Sequence, residues 1–382
     1  MESIKKNKFL NIFLRILVCL FSGLLVLLCC LFFVFTSSEQ PALSDSDDVA
    51  MMDQFDSIIT DALSKAEEAA LGVQKHFWVN EDAEVGPVPD PDKYGTTSDP
   101  SSLQWLLDDA QGLLAGQDTV FSTDINIRPG SEVIYYLDDT ILAITWKQVF
   151  ANCVYTMSEI KISDPSQFRR HLEADVFDGP TLSTPTLMSQ KVNAVVGTSA
   201  DHYRGRKAGI IVYDGEVKRI NLAHKIDVCY FDVNGNMHFS YRGELMDMES
   251  AQKFVDDNEI QFSIAFGPIL VDDGIRCEPA TYAIGEVNEK YARAAFCQMG
   301  ELHYLIVVAN REHGYENHLT IHEFADQIEK FGSIKAYTLD GGNTGSIVMN
   351  GKLINRTTLG YERIQGDLMY FCTAIPNTSE KD

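Results

Sequence analysis

The stretch that decides the fold is residues 302–346, which read LHYLIVVANREHGYENHLTIHEFADQIEKFGSIKAYTLDGGNTGS. Its first part, Leu302–Ala309, is a run of apolar and β-branched residues of strand length. In Leu319–Phe331 the apolar residues recur at helical spacing, and Ile334–Leu339 is a second apolar run. Strand, helix and strand within about 40 residues make a βαβ unit. The sequence therefore predicts two strands that run parallel to each other.

The ends of the predicted helix and the neighbouring turns are also marked in the sequence. Thr320 and Glu323 have the spacing of a capping box, and Gly332 can end the helix. Hairpin turns are predicted at Asp214-Gly215, Asn234-Gly235-Asn236 and Asn350-Gly351. Hairpins beside a βαβ unit indicate an α+β fold, with a mixed β-sheet flanked by helices.

The N-terminus predicts a membrane anchor. Residues 1–15 are basic, and Ile16–Phe35 is a run of 20 residues without a charge, enough to span about 30 Å as a helix. Acidic residues follow the run, so the positive-inside rule places the N-terminus in the cytoplasm. We expect a single-pass protein of the cell membrane with an extracellular C-terminal domain. A long cleaved signal peptide is the alternative.

Composition and charge divide the rest of the chain and limit its partners. We interpret residues 36–102 as a stalk and linker, 103–185 as a small α+β region or a layer of the main domain, and 186–376 as the main domain.

The formal net charge is −24, and the basic groups of residues 1–15 leave the remainder still more acidic. Such a surface repels nucleic acid and anionic lipid. The membrane is expected as a partner only through the N-terminal helix.

The loop Asp340–Ser346 carries the clearest chemical signal. It directly follows a predicted strand, and sheets that contain parallel strands bind ligands at the carboxyl ends of those strands. Two adjacent glycines let a ligand approach the backbone closely. A carboxylate, an amide and two hydroxyls in one loop suit recognition of a polyol or a phosphate. The alternative is a strand-ending turn in which Asp340 caps the backbone.

Leu339–Asn355, LDGGNTGSIVMNGKLIN, resembles the phosphodiester glycosidase signature "LDGGxSSxM…nGxxvN". Four further blocks resemble that family in the same order, and together they cover roughly residues 190–365. They are residues 195–218, FGPILVDDG at 266–274, ARAA at 292–295, and the helix at 319–331.

The resemblance implies hydrolysis of a sugar-1-phosphodiester at its glycosidic bond, in envelope or extracellular glycans. The leaving group is then a phosphate monoester, which departs without being protonated, so a general acid matters less than in other glycosidases. Asp340 and Asp201 are the predicted catalytic carboxylates. Arg293 is the first phosphate ligand, since guanidinium binds phosphate in a bidentate way. The other predicted substrate-binding residues are His202, Tyr203, Arg311, Gly341, Gly342, Asn343 and Thr344.

Departures from the family pattern motivate a second hypothesis. They lie at Ser199, Ala200, Ala292, Ala294, Ala309, Asn310 and Gly345. A non-catalytic glycan-binding or exopolysaccharide-assembly protein on the same fold would tolerate them. A third hypothesis is a surface interaction module in which residues 47–185 are the binding region.

No cofactor is predicted from the sequence, although a divalent cation stays open. His318 and His322 share a helix face, but no carboxylate pattern completes a metal site around them. The five cysteines outside the apolar run form no CxxC or Cys/His cluster, so the sequence predicts neither a zinc site nor a disulfide framework.

Overall fold

A computed structural model describes residues 85–121, 132–222, 226–278 and 288–375, all within the compact unit Gln74–Asp382. The predicted membrane span Ile16–Phe35 and most of the predicted stalk lie outside these residues. In the part of the chain that the structure describes, no helix is long and apolar enough to cross a membrane.

The described residues form four α-helices and nineteen strands, so the fold is α+β with far more strand than helix. The helices are α1 (Gln104–Asp109), α2 (Pro185–Lys191), α3 (Met248–Asp257) and α4 (Ile321–Lys330). The strands are β1 (Tyr94–Thr97), β2 (Val133–Leu137), β3 (Ile141–Phe150), β4 (Cys153–Ile162), β5 (Phe168–Leu172), β6 (Val196–Thr198), β7 (Gly209–Tyr213), β8 (Glu216–Asn221), β9 (Val228–Asp232), β10 (Met237–Ser240), β11 (Ile260–Ile264), β12 (Ile269–Asp272), β13 (Ile275–Arg276), β14 (Arg293–Gly300), β15 (His303–Asn310), β16 (Lys335–Leu339), β17 (Ile347–Met349), β18 (Lys352–Leu353) and β19 (Asp367–Phe371).

The strands form three sheets. The largest has nine strands in the order β1-β2-β3-β4-β15-β14-β16-β12-β13. Two five-stranded sheets have the orders β10-β9-β11-β7-β8 and β18-β17-β6-β19-β5. Strands β2–β4, from the region that the sequence analysis set apart at 103–185, pair directly into the same sheet as β14–β16.

The predicted strand–helix–strand unit is present, with one difference in pairing. The strands β15 and β16 run in the same direction, as expected, but β14 lies between them and is antiparallel to both. Strand β14 carries no local strand signal, because its residues RAAFCQMG lack the β-branched side chains that mark strands. The three predicted hairpins form, as β7–β8, β9–β10 and β17–β18.

Helix α4 begins where the sequence predicts. The Thr320 side chain accepts a hydrogen bond from the backbone of Glu323, and the Glu323 side chain accepts one from the backbone of Thr320. Its apolar face, Phe324, Ala325 and Ile328, is buried against the nine-stranded sheet, which is the central sheet of the fold.

Both faces of the central sheet are buried. On β15, Leu305 and Val307 belong to the core that contains α4, whereas Ile306 and Val308 face the core shared with strands β6, β17 and β19. Strands with two buried faces consist of continuous apolar runs rather than alternating ones. This arrangement holds the end of β16, and the loop that follows it, between two packed layers.

Candidate active site

The loop after β16, Asp340–Ser346, is called the glycine loop, and backbone contacts attach it to two neighbouring segments. The N–H of Asp340 donates to the carbonyl of Ala200 at 3.3 Å, and the N–H of Gly342 donates to the carbonyl of Ala292 at 3.2 Å. A Cβ atom on Gly341 would lie 2.3 Å from the same Ala292 carbonyl oxygen. Only glycine fits at that position without moving the backbone. The family-like segments around 200, 292 and 340 therefore meet at one end of β16.

A carboxylate, a guanidinium and a hydroxyl come together on this loop. The Nη1 atom of Arg363 lies 3.8 Å from Oδ2 of Asp340 and donates to Oγ1 of Thr344 at 3.0 Å. The side chain of Asp340 is 18% exposed and that of Arg363 is 46% exposed, whereas Thr344 is buried. Charged groups that stay in contact with water at the end of a strand can reach a ligand.

His202 lies beside this group. Burial lowers the pKa of His202, and the positive charge of Arg363 lowers it further. The imidazole is therefore neutral near pH 7. Its Nδ1 atom is buried and makes no hydrogen bond within the described residues. A neutral imidazole can donate to, or accept from, a polar ligand at this place.

Asp201 is fully buried in an ion cluster. Its Oδ1 atom lies 3.3 Å from Nη2 of Arg170, and its Oδ2 atom accepts from the N–H of Ala265 at 2.6 Å. Arg170 also donates to Oδ2 of Asp367, from Nε at 2.9 Å and from Nη2 at 2.6 Å. The backbone of Asp201 adjoins the loop, but its carboxylate points into the interior. In this position it holds the 201–203 turn, since it also accepts from the N–H of Tyr203 at 3.1 Å.

The side chain of Tyr203 packs in the interior. Its hydroxyl accepts from the N–H of Asp178 at 3.2 Å, and its ring stacks on Phe177 with centroids 5.3 Å apart. The guanidinium groups of Arg170 and Arg219 lie over the same ring at 5.4 and 5.8 Å. These contacts make Tyr203 a support for the turn that carries His202.

Arg293 begins β14, opposite the end of β16. Its Nε donates to the carbonyl of Leu319 at 3.0 Å, and its Nη2 donates to the carbonyl of Glu289 at 2.6 Å. The side chain of Arg311 is exposed. Burial lowers the pKa of His318, and the positive charges of Arg311 and Arg293 lower it further. Arg293 thus donates to backbone carbonyls, whereas the side chain of Arg311 is exposed to solvent.

The Asn343 side chain supports a covering segment. Its Oδ1 accepts from the N–H of Leu359 at 3.1 Å, and the N–H of Thr358 donates to the carbonyl of Gly342 at 3.4 Å. The segment 356–363 therefore crosses the glycine loop and brings Arg363 to Asp340.

The described residues contain no group of three or more His, Cys, Asp or Glu side chains that could hold a metal ion. His318 instead contacts Asn310 at 3.0 Å, and His322 lies 3.4 Å from a nitrogen of Arg276.

Residues 189–370 match the family model described as phosphodiester glycosidase. The chain carries a phosphodiester glycosidase domain. The resemblance found in the sequence is thereby confirmed. No curated protein matches the chain.

Solved structures resemble this chain at low sequence identity. A hypothetical protein from Synechocystis is 11% identical with a TM-score of 0.48, and the match covers 61% of this chain and 62% of that one. The catalytic domain of zebrafish N-acetylglucosamine-1-phosphodiester alpha-N-acetylglucosaminidase, auto-inhibited by its pro-peptide, is 13% identical with a TM-score of 0.46. That match covers 69% of this chain and 93% of the zebrafish domain. The chain thus spans less than two thirds of the Synechocystis protein.

No motif of the sequence indicated three charged residues near the glycine loop and the turn at 201–203. They are Arg170, Arg363 and Asp367. The clearest signal was available for Asp367, which opens the apolar strand DLMYF. A carboxylate in a fully buried strand requires a counter-charge. Arg363 lies in an exposed loop segment with no local pattern, and only the fold brings it to Asp340.

Proposed function

We propose that the chain hydrolyses sugar-1-phosphodiesters at the glycosidic bond. The observation that carries the proposal is the pairing of a partly exposed carboxylate, Asp340, with a half-exposed guanidinium, Arg363, on the glycine loop. The match of residues 189–370 to the phosphodiester glycosidase family gives the coarser activity.

One carboxylate is sufficient for this reaction. A phosphate monoester has a second pKa of about 6, so it leaves as a stable anion without a general acid. Asp340 is then the group that activates water or stabilises the positive charge on the sugar in the transition state. The buried carboxylate of Asp201 instead positions the turn that adjoins the loop.

Arg363 is the residue we assign to the phosphate. The 3.8 Å separation from Asp340 exceeds the roughly 2.7–2.9 Å of a charge-assisted hydrogen bond. The Asp340 carboxylate therefore does not occupy the hydrogen-bond donors of this guanidinium. Its planar fork can bind two phosphate oxygens. Arg311, which is also exposed, is a second candidate for the phosphate.

The test uses the full-length chain and a panel of sugar-1-phosphate methyl diesters in water enriched in ¹⁸O. Hydrolysis at the glycosidic bond should release the free sugar and methyl phosphate. The heavy oxygen should be in the sugar, because water attacks the anomeric carbon. Heavy oxygen in methyl phosphate would show cleavage of the phosphorus–oxygen bond instead and would contradict the proposal.

A non-catalytic, glycan-binding function is the second candidate. It is favoured by the burial of Asp201, which leaves Asp340 as the only one of the two predicted carboxylates with any exposure. Absence of turnover on every diester, together with retained glycan binding, would support this candidate over the enzyme.

We also propose that the N-terminal apolar run anchors the protein in the cell membrane with its main domain outside the cell, where envelope or extracellular glycans are the substrates. A protease added to intact cells should remove the domain. Cleavage that occurs only after lysis would contradict this location.

A further inference from the structure

A cavity lies far from the glycine loop. It has a volume of about 710 Å³ and is formed by the turn Pro91–Lys93, helix α1 and strands β1 and β2. This volume is in the range of roughly 300–1,000 Å³ that is usual for small-molecule sites. In the nine-stranded sheet β1 and β16 are six positions apart, which corresponds to about 29 Å at the usual strand spacing. The cavity is therefore separate from the candidate active site.

Aromatic rings form one wall of this cavity. Trp105 is 49% exposed, a large fraction for an indole, and its ring meets the edge of Tyr135 with centroids 5.8 Å apart. The Tyr135 ring lies across Gly95 on the paired strand, where a Cβ atom would come within 2.1 Å of it. Glycine at this position holds the tyrosine ring flat on the sheet edge. The wall is thus preformed, with an apolar face open to solvent.

Hydrogen-bonding groups face the same space. Among the described residues, the carboxylates of Asp92, Asp109 and Asp139 line the cavity, and no hydrogen bond or ion pair occupies them. Tyr94 also lines the cavity, but its hydroxyl is buried beside Tyr136 on the other face of the sheet, away from Trp105 and Tyr135.

The charge of the lining selects against one class of ligand. Four aspartates and one lysine, Lys93, line the cavity. A phosphate or uronate would therefore be repelled. A ligand that places hydroxyl groups against carboxylates and an apolar face against an indole matches both walls.

We propose that this cavity binds a saccharide segment that carries no anionic group. One face of a sugar ring, where its C–H bonds point outward, stacks on Trp105. Its hydroxyls donate to Asp92, Asp109 and Asp139. The site would hold a glycan independently of the phosphodiester chemistry at Asp340.

The test is isothermal titration of the full-length chain with neutral hexasaccharides of glucose (α-1,4 and β-1,4 linked) and of N-acetylglucosamine. At least one should bind. Trp105→Ala should weaken that binding by about tenfold or more, since the stacking surface is lost. Trp105→Phe should weaken it less, and Asp109→Asn should also weaken it. Asp340→Asn should leave it unchanged, which separates this cavity from the active site.

Three further readouts complete the design. Any binding of hexagalacturonate should be the same in Trp105→Ala as in the wild type. Diester turnover, where present, should be unchanged in Trp105→Ala, and melting curves should show that each variant is folded. Binding of no neutral glycan, binding that Trp105→Ala leaves unchanged, or binding of spermine in place of glycans would each overturn the proposal.

Discussion

The guanidinium of Arg363 lies 3.8 Å from the carboxylate of Asp340, although 23 positions separate the two residues in the chain. The same guanidinium donates to Thr344, and its charge contributes to the lowered pKa of His202. Arg363 is thus the group that connects the glycine loop to the turn at 201–203. The chemistry proposed for this site depends on it.

Replacing Asp340 by Asn should reduce kcat by about 10²–10⁴-fold, the usual contribution of a positioned acid–base group. Asn is nearly isosteric and keeps one acceptor oxygen, so melting curves should stay close to those of the wild type. The measurement is turnover of the best sugar-1-phosphate methyl diester. A fully active variant would show that another group is the catalytic carboxylate.

Replacing Arg363 by Lys should lower kcat/KM by about 10–100-fold, because hydrogen bonds to charged groups are worth about 1.5–3 kcal/mol and an ammonium cannot bind phosphate as a fork. Arg276→Lys is the matched control, since Arg276 pairs with Asp326 on α4 and not with the loop. Equal losses in the two variants would argue against a phosphate contact by Arg363.

Adding a methyl group at Gly341 should disturb the loop, whereas adding one at Gly345 should not. The Cβ of Gly341→Ala would lie 2.3 Å from a backbone oxygen, while that of Gly345→Ala would have its nearest neighbour at 3.4 Å. We expect Gly341→Ala to destabilise the fold by about 1–3 kcal/mol and to lower turnover. Thermal unfolding and kinetics of both variants test this; similar behaviour of the two would contradict it.

The buried ion cluster predicts a pH dependence of stability. Burial raises the pKa of Asp367 to about 6 from an ordinary value of 3.8; Arg170 opposes this rise, and Asp201 adds to it. The folded state therefore binds a proton more tightly than the unfolded state, and this group's contribution is lost as pH rises through about 6. Relative to Asp367→Asn, which cannot ionise, the wild type should lose roughly 1–3 kcal/mol between pH 4 and pH 7.

Asp232→Asn is the control with the opposite sign. Burial opposes ionisation of Asp232, but hydrogen bonds from His238 and Asn236 lower its pKa below the ordinary value. The wild type should therefore gain stability relative to Asp232→Asn as pH rises from acid conditions. Denaturant unfolding at several pH values measures both differences. Parallel curves for the wild type and Asp367→Asn would refute the proton linkage.

Local signals in the sequence were sufficient for α4 and for the three hairpins. The capping box of Thr320 and Glu323, the helical spacing after it and the Asp-Gly or Asn-Gly turns act within a few residues, so no distant contact is needed to specify them. The glycine loop was found for the same reason, since it directly follows an apolar strand. The ordered motifs then identified the family.

Pairing across the chain was decided only by the tertiary structure. Strand β14 lies between β15 and β16 because its small and aromatic side chains fit between two cores, and no local pattern carries that information. The same holds for the site. The burial of Asp201 follows from Arg170, which is 31 positions away, and the approach of Arg363 follows from the segment that crosses the loop. The sequence alone identified residue types and their order, whereas exposure and charge partners depend on how distant segments pack.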